Sequence, residues 1–333
     1  MYATDRAWRL ARTRVALLAL ALTTLPVIAR AQQAHDSTAA HARQLTDDAW
    51  WTGPMLAASP NTLPPGHFLV EPYLYDVRTP HANGLGSLTY INYGVFNNFT
   101  IGLIPTVGFN IMSEGTNSSG VGVGDLTLLT QYRLSQFHTG SRMPTTAIVL
   151  QEALPIGKYD RLGSRPSDGF GGGAYTTTLS LYSQTYFWMP NGRILRTRLD
   201  VSQAFSNSVS IEDVSVYGTE DGFRGHADPG NSLFADAAGE YSVTQRWVLA
   251  LDLFYRHGGN TRVRGEQPVG PALSGGSSNV AFETGSSDAF GFAPGLEYNW
   301  SPRFGVLLAT RIILSGHNTS SSITPAVALN MFY

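Results

Sequence analysis

From His67 to the end of the chain, large apolar residues recur at every second position, in runs of about ten to seventeen residues separated by turn formers. In 246–257, Trp247, Leu249, Leu251, Leu253 and Tyr255 share one face, and Arg246, Asp252 and Arg256 the other. In 285–300, Phe290, Phe292, Leu296, Tyr298 and Trp300 oppose Gly291, Ala293, Gly295, Glu297 and Asn299. A period of two is the strand period. Twelve strands follow from it: 67–78, 87–96, 99–112, 122–134, 144–155, 173–189, 193–205, 231–243, 246–257, 285–300, 303–315 and 322–333.

The connections alternate in length. "NN" at 97–98, "PNG" at 190–192, "TQ" at 244–245 and "SP" at 301–302 are tight, with 135–143 of medium length. Those on the other side are long and rich in Gly, Ser and Asp, above all 157–172, 206–230 and 258–284. Short turns at one end and long loops at the other are the signature of an outer-membrane barrel. Bulky residues on one face and small or charged ones on the other then read as lipid-facing and lumen-facing. The expected fold is all-β: a transmembrane, antiparallel, up-and-down barrel of about 12 strands, closed so that no edge is left unpaired in lipid.

Phe68, Phe99, Tyr132, Phe187, Tyr241, Trp247, Trp300 and Phe304 all fall beside the short turns on the outward face. They form the expected periplasmic aromatic girdle. The last strand, "SITPAVALNMFY", alternates down to Tyr333 at the same level. An aromatic terminus of this kind resembles the signal by which outer-membrane barrels engage the assembly machinery, which makes that machinery an expected partner.

Composition narrows the class. Charged residues are 14% of the chain and the net charge is −2, so nothing points to nucleic acid. There is no cysteine, and an exported fold must then hold by packing and hydrogen bonds alone. Arg6, Arg9, Arg12 and Arg14 precede the apolar run "VALLALALTTLPVIA", and Ala29-Arg30-Ala31 supplies a cleavage pattern. This predicts a Sec-type signal peptide over 1–31, cleaved after Ala31, and places the chain in the cell outer membrane, amid lipid and lipopolysaccharide. Residues 32–66 start with a disordered composition and continue as "WWTGPMLAASPNTLPPG". Two readings stand, a periplasmic tether, which is preferred, or a plug inside the barrel formed by 67–333.

The inward charges are Glu71, Asp125, Arg133, Arg196, Arg198, Asp200, Asp236, Glu240, Arg246, Asp252, Arg256, Glu297, Arg303 and Arg311, seven of each sign. A selective pore shows an excess of one sign at its constriction, so a balanced set reads first as ion pairs across a narrow interior. No cofactor is implied, and the loop acids Glu212, Asp213, Glu220, Asp221 and Asp228 fit no calcium loop, so no metal is expected. A lipid hydrolase needs a hydroxyl near an outward histidine. "HGG" at 257–259 lacks one, and "HNT" at 317–319 offers only Thr319. The chain is read as a non-enzyme, with a lipid-modifying enzyme as the third alternative.

Two stretches together, "VGVGDLTLLTQYRL" (121–134) and "LQEALPIGKYD" (150–160), resemble the outer-membrane family named after the meta-pathway of phenol degradation, as does the entry strand "TLPPGHFLVEPYLY" (62–75). The chain departs at Ile156, where that family usually has Thr. The resemblance implies a channel for small hydrophobic or aromatic compounds. A more distant resemblance, to the fatty-acid transporters, would favour a hatch at 32–66. The reading is therefore a channel passing small, mostly apolar solutes by passive diffusion, with Phe170, Phe223 and Phe282 as first ligand contacts on the extracellular side. The alternative is a non-transporting structural or adhesive barrel whose lumen is closed by ion pairs.

Overall fold

The computed structural model describes residues 43–269 and 276–333. The expected signal peptide, its cleavage site after Ala31 and residues 32–42 lie outside the described residues. Gln44–Met189 with Arg193–Tyr333 form one compact unit.

Its strands are β1 (Phe68–Arg78), β2 (Ala82–Phe96), β3 (Phe99–Ile104), β4 (Thr106–Met112), β5 (Gly122–Val123), β6 (Leu126–Ser135), β7 (Thr145–Leu154), β8 (Thr176–Trp188), β9 (Ile194–Ser206), β10 (Val209–Glu212), β11 (Arg224–Asp228), β12 (Ser232–Ser242), β13 (Trp247–Gly258), β14 (Arg262–Val269), β15 (Gly276–Glu283), β16 (Ser287–Ser301), β17 (Phe304–His317) and β18 (Ser322–Phe332). All but β10, β11, β14 and β15 belong to one antiparallel sheet, which closes because β1 pairs with both β2 and β18. β3 with β4, and β5 with β6, are each one interrupted strand, so the wall has the twelve strands expected from the alternation.

Both interruptions have local causes. Pro105 has no N–H for the ladder. At Gly124–Asp125 the Asp125 carboxylate instead accepts the N–H groups of Gly157 (2.9 Å) and Gly172 (2.8 Å) from the loop after β7. That loop is pressed against the wall so closely that a Cβ on Gly157 would stand 3.0 Å from the Gly124 carbonyl carbon.

The closing seam is tied at the periplasmic end, where Phe68 and Tyr333 exchange main-chain bonds of 3.0 and 2.8 Å. The aromatic belt is present at that end. Trp300 stacks on Phe304 (4.9 Å) and meets Tyr298 edge-on (5.1 Å), Trp247 contacts Tyr298 (4.6 Å), and Phe68 contacts Tyr93 (4.7 Å). Leu249, Leu251 and Leu253 stand exposed on the outer face while Val248, Ala250 and Asp252 are buried. Such an outside is stable only against lipid.

The long loops hold structure that the alternation does not predict. β10, β11, β14 and β15 form a second, four-stranded sheet, with Arg224 opposite Glu266 and Arg262 opposite Glu283. One face of this outer sheet buries Val209, Ile211, Phe223, Ala227 and Val263, and Tyr159, Tyr217 and Phe282 pack on them.

Candidate functional site

The lumen wall has two characters. On β9, β12, β13 and β16 it is ionic: Arg196, Arg198, Asp200, Asp236, Glu240, Asp252 and Glu297 are all buried. The Arg196 guanidinium pairs with Glu240 through Nε (2.6 Å) and Nη2, and Arg198 stands 3.5 Å from the same carboxylate. On β1–β3, β6–β8, β17 and β18 it is mostly apolar, with Gln131, Gln184, Glu71 and Arg311 set among the apolar residues. Tyr73, Leu307, Ala309 and Ala328 form one cluster, Ile104, Leu129, Val149 and Tyr182 another, and Leu88 and Tyr90 touch both. Alternation marks these positions as inward, but only the closed barrel shows that the apolar ones gather on one side.

Between the two halves runs an arch made by residues 50–64. One foot is at the periplasmic turn before β13, where the Trp50 N–H donates to the Gln245 carbonyl (2.9 Å). The other is at the β2–β3 turn, where the Thr62 hydroxyl donates to the Asn97 carbonyl (2.7 Å). Midway, the Asp252 carboxylate accepts three consecutive N–H groups, from Met55 (3.0 Å), Leu56 (3.3 Å) and Ala57 (3.0 Å). Glu297 takes the Thr52 N–H (2.6 Å) and Asp200 that of Ala58 (2.6 Å). The arch carbonyls are met in turn: Arg198 donates to Ala57 (2.7 Å), Gln131 to Ser59 and Asn61 (3.0 and 3.1 Å), and Asn299 to Trp50 (3.0 Å). Met55 and Ala58 lean on the apolar clusters. Two wall glycines make room, since a Cβ on Gly94 would lie 2.0 Å from the Pro64 carbonyl oxygen and one on Gly305 2.2 Å from Thr52 Oγ1.

Above the arch, on the extracellular and apolar side, is a cavity of about 380 Å³. Tyr75, Val77, Thr106, Asn110 and Phe170 line it together with inward glycines. The rings lie directly on backbone, for a Cβ on Gly86 would stand 2.5 Å from the Tyr75 ring and one on Gly122 2.0 Å from Phe170. A second cavity, of about 740 Å³, opens at the periplasmic rim beside Trp50, Trp51, Tyr186 and Arg196.

The expected site residues separate by height. Arg133 donates to the Asn97 carbonyl at the rim, Arg246 covers the Trp50 ring and Arg303 the Phe332 ring. Glu71 sits within 3.5 Å of Asn330. Asp125 ties down the loop of Phe170, and Arg256 and Arg311 stand nearer the outside, Arg311 donating to Thr324 (3.3 Å). The three loop phenylalanines are not equivalent. Phe170 points into the upper cavity, whereas Phe223 is 1% exposed at the centre of the outer-sheet core, with Phe282 packed on it. A ring with no free surface makes no first contact with a solute, so Phe223 is corrected to a core residue.

His257 and His317 flank Asp288 in register on the lipid-facing wall. His257 Nδ1 lies 2.8 Å from Asp288 and the Tyr255 hydroxyl donates to it (2.5 Å). The Thr319 hydroxyl is engaged with the His317 carbonyl (3.2 Å). Among the described residues no group of three His, Cys, Asp or Glu is arranged to hold a metal ion.

The fold is similar to the crystal structure of the COG4313 outer membrane channel from Pseudomonas putida F1, with a TM-score of 0.61 at 14% identity over 84% of this chain and 100% of that one. Weaker likenesses, which carry no argument, are to the NanC porin (TM-score 0.42, 11% identity, 79% and 98% covered) and to the Ralstonia pickettii toluene transporter TbuX (0.34, 11%, 88% and 99%). No curated protein matches the sequence. The family model for the putative MetA-pathway of phenol degradation matches residues 54–323, most of the chain and the whole barrel wall up to the last strand, and the chain belongs to that family.

Proposed function

We propose that this outer-membrane barrel is a channel for small, mostly hydrophobic or aromatic solutes, which cross it by passive diffusion. The observation that carries this reading is the upper cavity. At about 380 Å³ it falls in the size range of small-molecule sites, and a mostly apolar lining with a few polar groups is their usual chemistry. Asn110 and Thr106 supply the polar groups, Tyr75 and Phe170 the rings. Below it the apolar residues of the lumen continue through Tyr73, Leu88 and Tyr90, with Glu71 on β1 and Arg311 on β17 as the charges on that side.

The test is uptake of a small aromatic into liposomes carrying the refolded chain. Phe170→Ser should lower apparent binding roughly fivefold to tenfold, the value of a lost ring contact of about 1–1.5 kcal/mol, and Phe282→Ser should leave it unchanged. Equal behaviour of the two variants would sink the assignment.

One observation favours a second reading. The arch crosses the lumen at mid-height and the charged side chains of the ionic half are buried, which suits a permanently closed, structural barrel. In that case no solute would permeate even after residues 44–58 are removed. Lipopolysaccharide around the outer rim and the assembly machinery at the C-terminal strand remain the proposed partners.

A further inference from the structure

The arch is held in an unusual way. Among the described residues, no main-chain bond joins residues 51–63 to the wall. Every polar link there runs through a wall side chain or an arch hydroxyl. Prolines at 54, 60, 64 and 65 remove the donors that zipping into a ladder would need. The N–H donors of Thr52, Met55, Leu56, Ala57 and Ala58 are gathered by carboxylates, and three of them by one residue, Asp252. Bonds from N–H groups to a carboxylate are charge-assisted and stronger than neutral ones.

From this geometry we propose that Asp252, with Asp200 and Glu297 beside it, is a built-in receptor for peptide backbone, that residues 52–58 are its exchangeable ligand, and that the lumen opens when they leave. The opening rests on the channel reading above; the receptor does not. The physical reason for exchange is what each half becomes on release. A ladder strand that leaves a sheet strands a row of wall N–H and C=O groups, and its loss is cooperative. Here the wall's own ladder stays complete. Asp252, Asp200, Glu297, Arg198 and Gln131 can each trade an arch partner for water, and water-mediated bonds are nearly as good as direct ones. Apolar cost falls mainly on Met55 and Ala58, the arch residues that pack on the two clusters. The carboxylates read N–H groups and not side chains, so the receptor is indifferent to sequence except where proline removes a donor.

The chain has no cysteine, so a single thiol reports on the arch. Ala57 is 2% exposed. Ala57→Cys in the full refolded chain should react slowly with a charged, water-soluble maleimide. Adding Asp252→Asn should raise the rate about tenfold, the value of roughly 1.4 kcal/mol lost with the charge. Adding Ala58→Pro, which deletes the N–H given to Asp200 and leaves the wall untouched, should raise it too. Current bursts in a planar bilayer should lengthen in the same variants.

If Asp252→Asn does not fold, Ala58→Pro decides alone. Labelling that stays slow in every folded variant would make the arch a permanent part of the barrel and overturn the proposal. Faster labelling with no current in any variant would uphold the receptor and reject the channel.

Discussion

Arg196 and Glu240 meet across β9 and β12 with almost no access to water, while Arg161 and Glu212 make a similar pair in the open on the loops. Water decides what each pair is worth. Removing one partner of a buried pair leaves the other charge uncompensated, so Glu240→Ala should cost about 3–5 kcal/mol, read as a lower urea midpoint of the refolded barrel. Glu212→Ala should move that midpoint by nothing measurable, because solvent replaces the lost partner. Equal shifts would mean that water reaches the lumen pair as freely as the surface one. The sequence makes Arg196, Arg198 and Glu240 legible as inward charges of balanced sign, since parity within a strand sets direction. It does not make Phe223 legible. A phenylalanine among Gly, Asp and Arg looks isolated until Val263 and Ile211, brought from elsewhere along the chain by the outer sheet, close over it.

The outer sheet and its neighbouring loops are elements with their own stability, because their core shares no residue with the clusters of the lumen. Phe223→Ala should cost roughly 3–5 kcal/mol there and little in the wall. A protease should then cut within 206–230 while the barrel stays resistant, and loss of both together would show that the sheet is not a separate unit. The loop after β4 is pinned to the loop after β7 by Asp168, which accepts the Ser119 N–H (2.7 Å) and hydroxyl (2.9 Å). These bonds hold the Asp168 carboxyl below the usual carboxylate range. A depressed pKa means stabilisation that is complete above the unfolded value of about 3.9 and is lost as pH falls through the folded one. The Ser119 amide resonance should therefore stay fixed from neutrality to about pH 4 and shift only below it. A midpoint above about 4 would show that the bond is not made in solution. Of the elements, the wall strands were readable to within a few residues, since alternation between lipid and lumen is a local signal. β10, β11, β14 and β15 were not, because short, Gly-rich, charged strands acquire their pattern only by pairing with each other, as Arg224 does with Glu266.

At the scale of the whole molecule, the chain by itself determined the architecture. An outside facing hydrocarbon forces apolar residues to every second position, and a backbone in lipid forces closure, so strand number, the sorting of turns and loops and the girdle are written along the sequence. Tertiary structure decided the interior. That the lumen has an ionic half and an apolar half depends on which strands stand opposite each other after closure, and no single strand carries that information. The two readings of the N-terminal segment stayed open for the same reason. The composition of 50–63 shows only that Trp50, Trp51, Met55 and Leu56 want cover, while the groups that meet its backbone, Glu297, Asp252 and Asp200, lie 142 to 245 residues away. Asp252 likewise reads from sequence as one inward acid among seven. Its meeting with three successive N–H groups of Met55, Leu56 and Ala57 exists only because the closed barrel brings residues so distant along the chain within hydrogen-bonding reach.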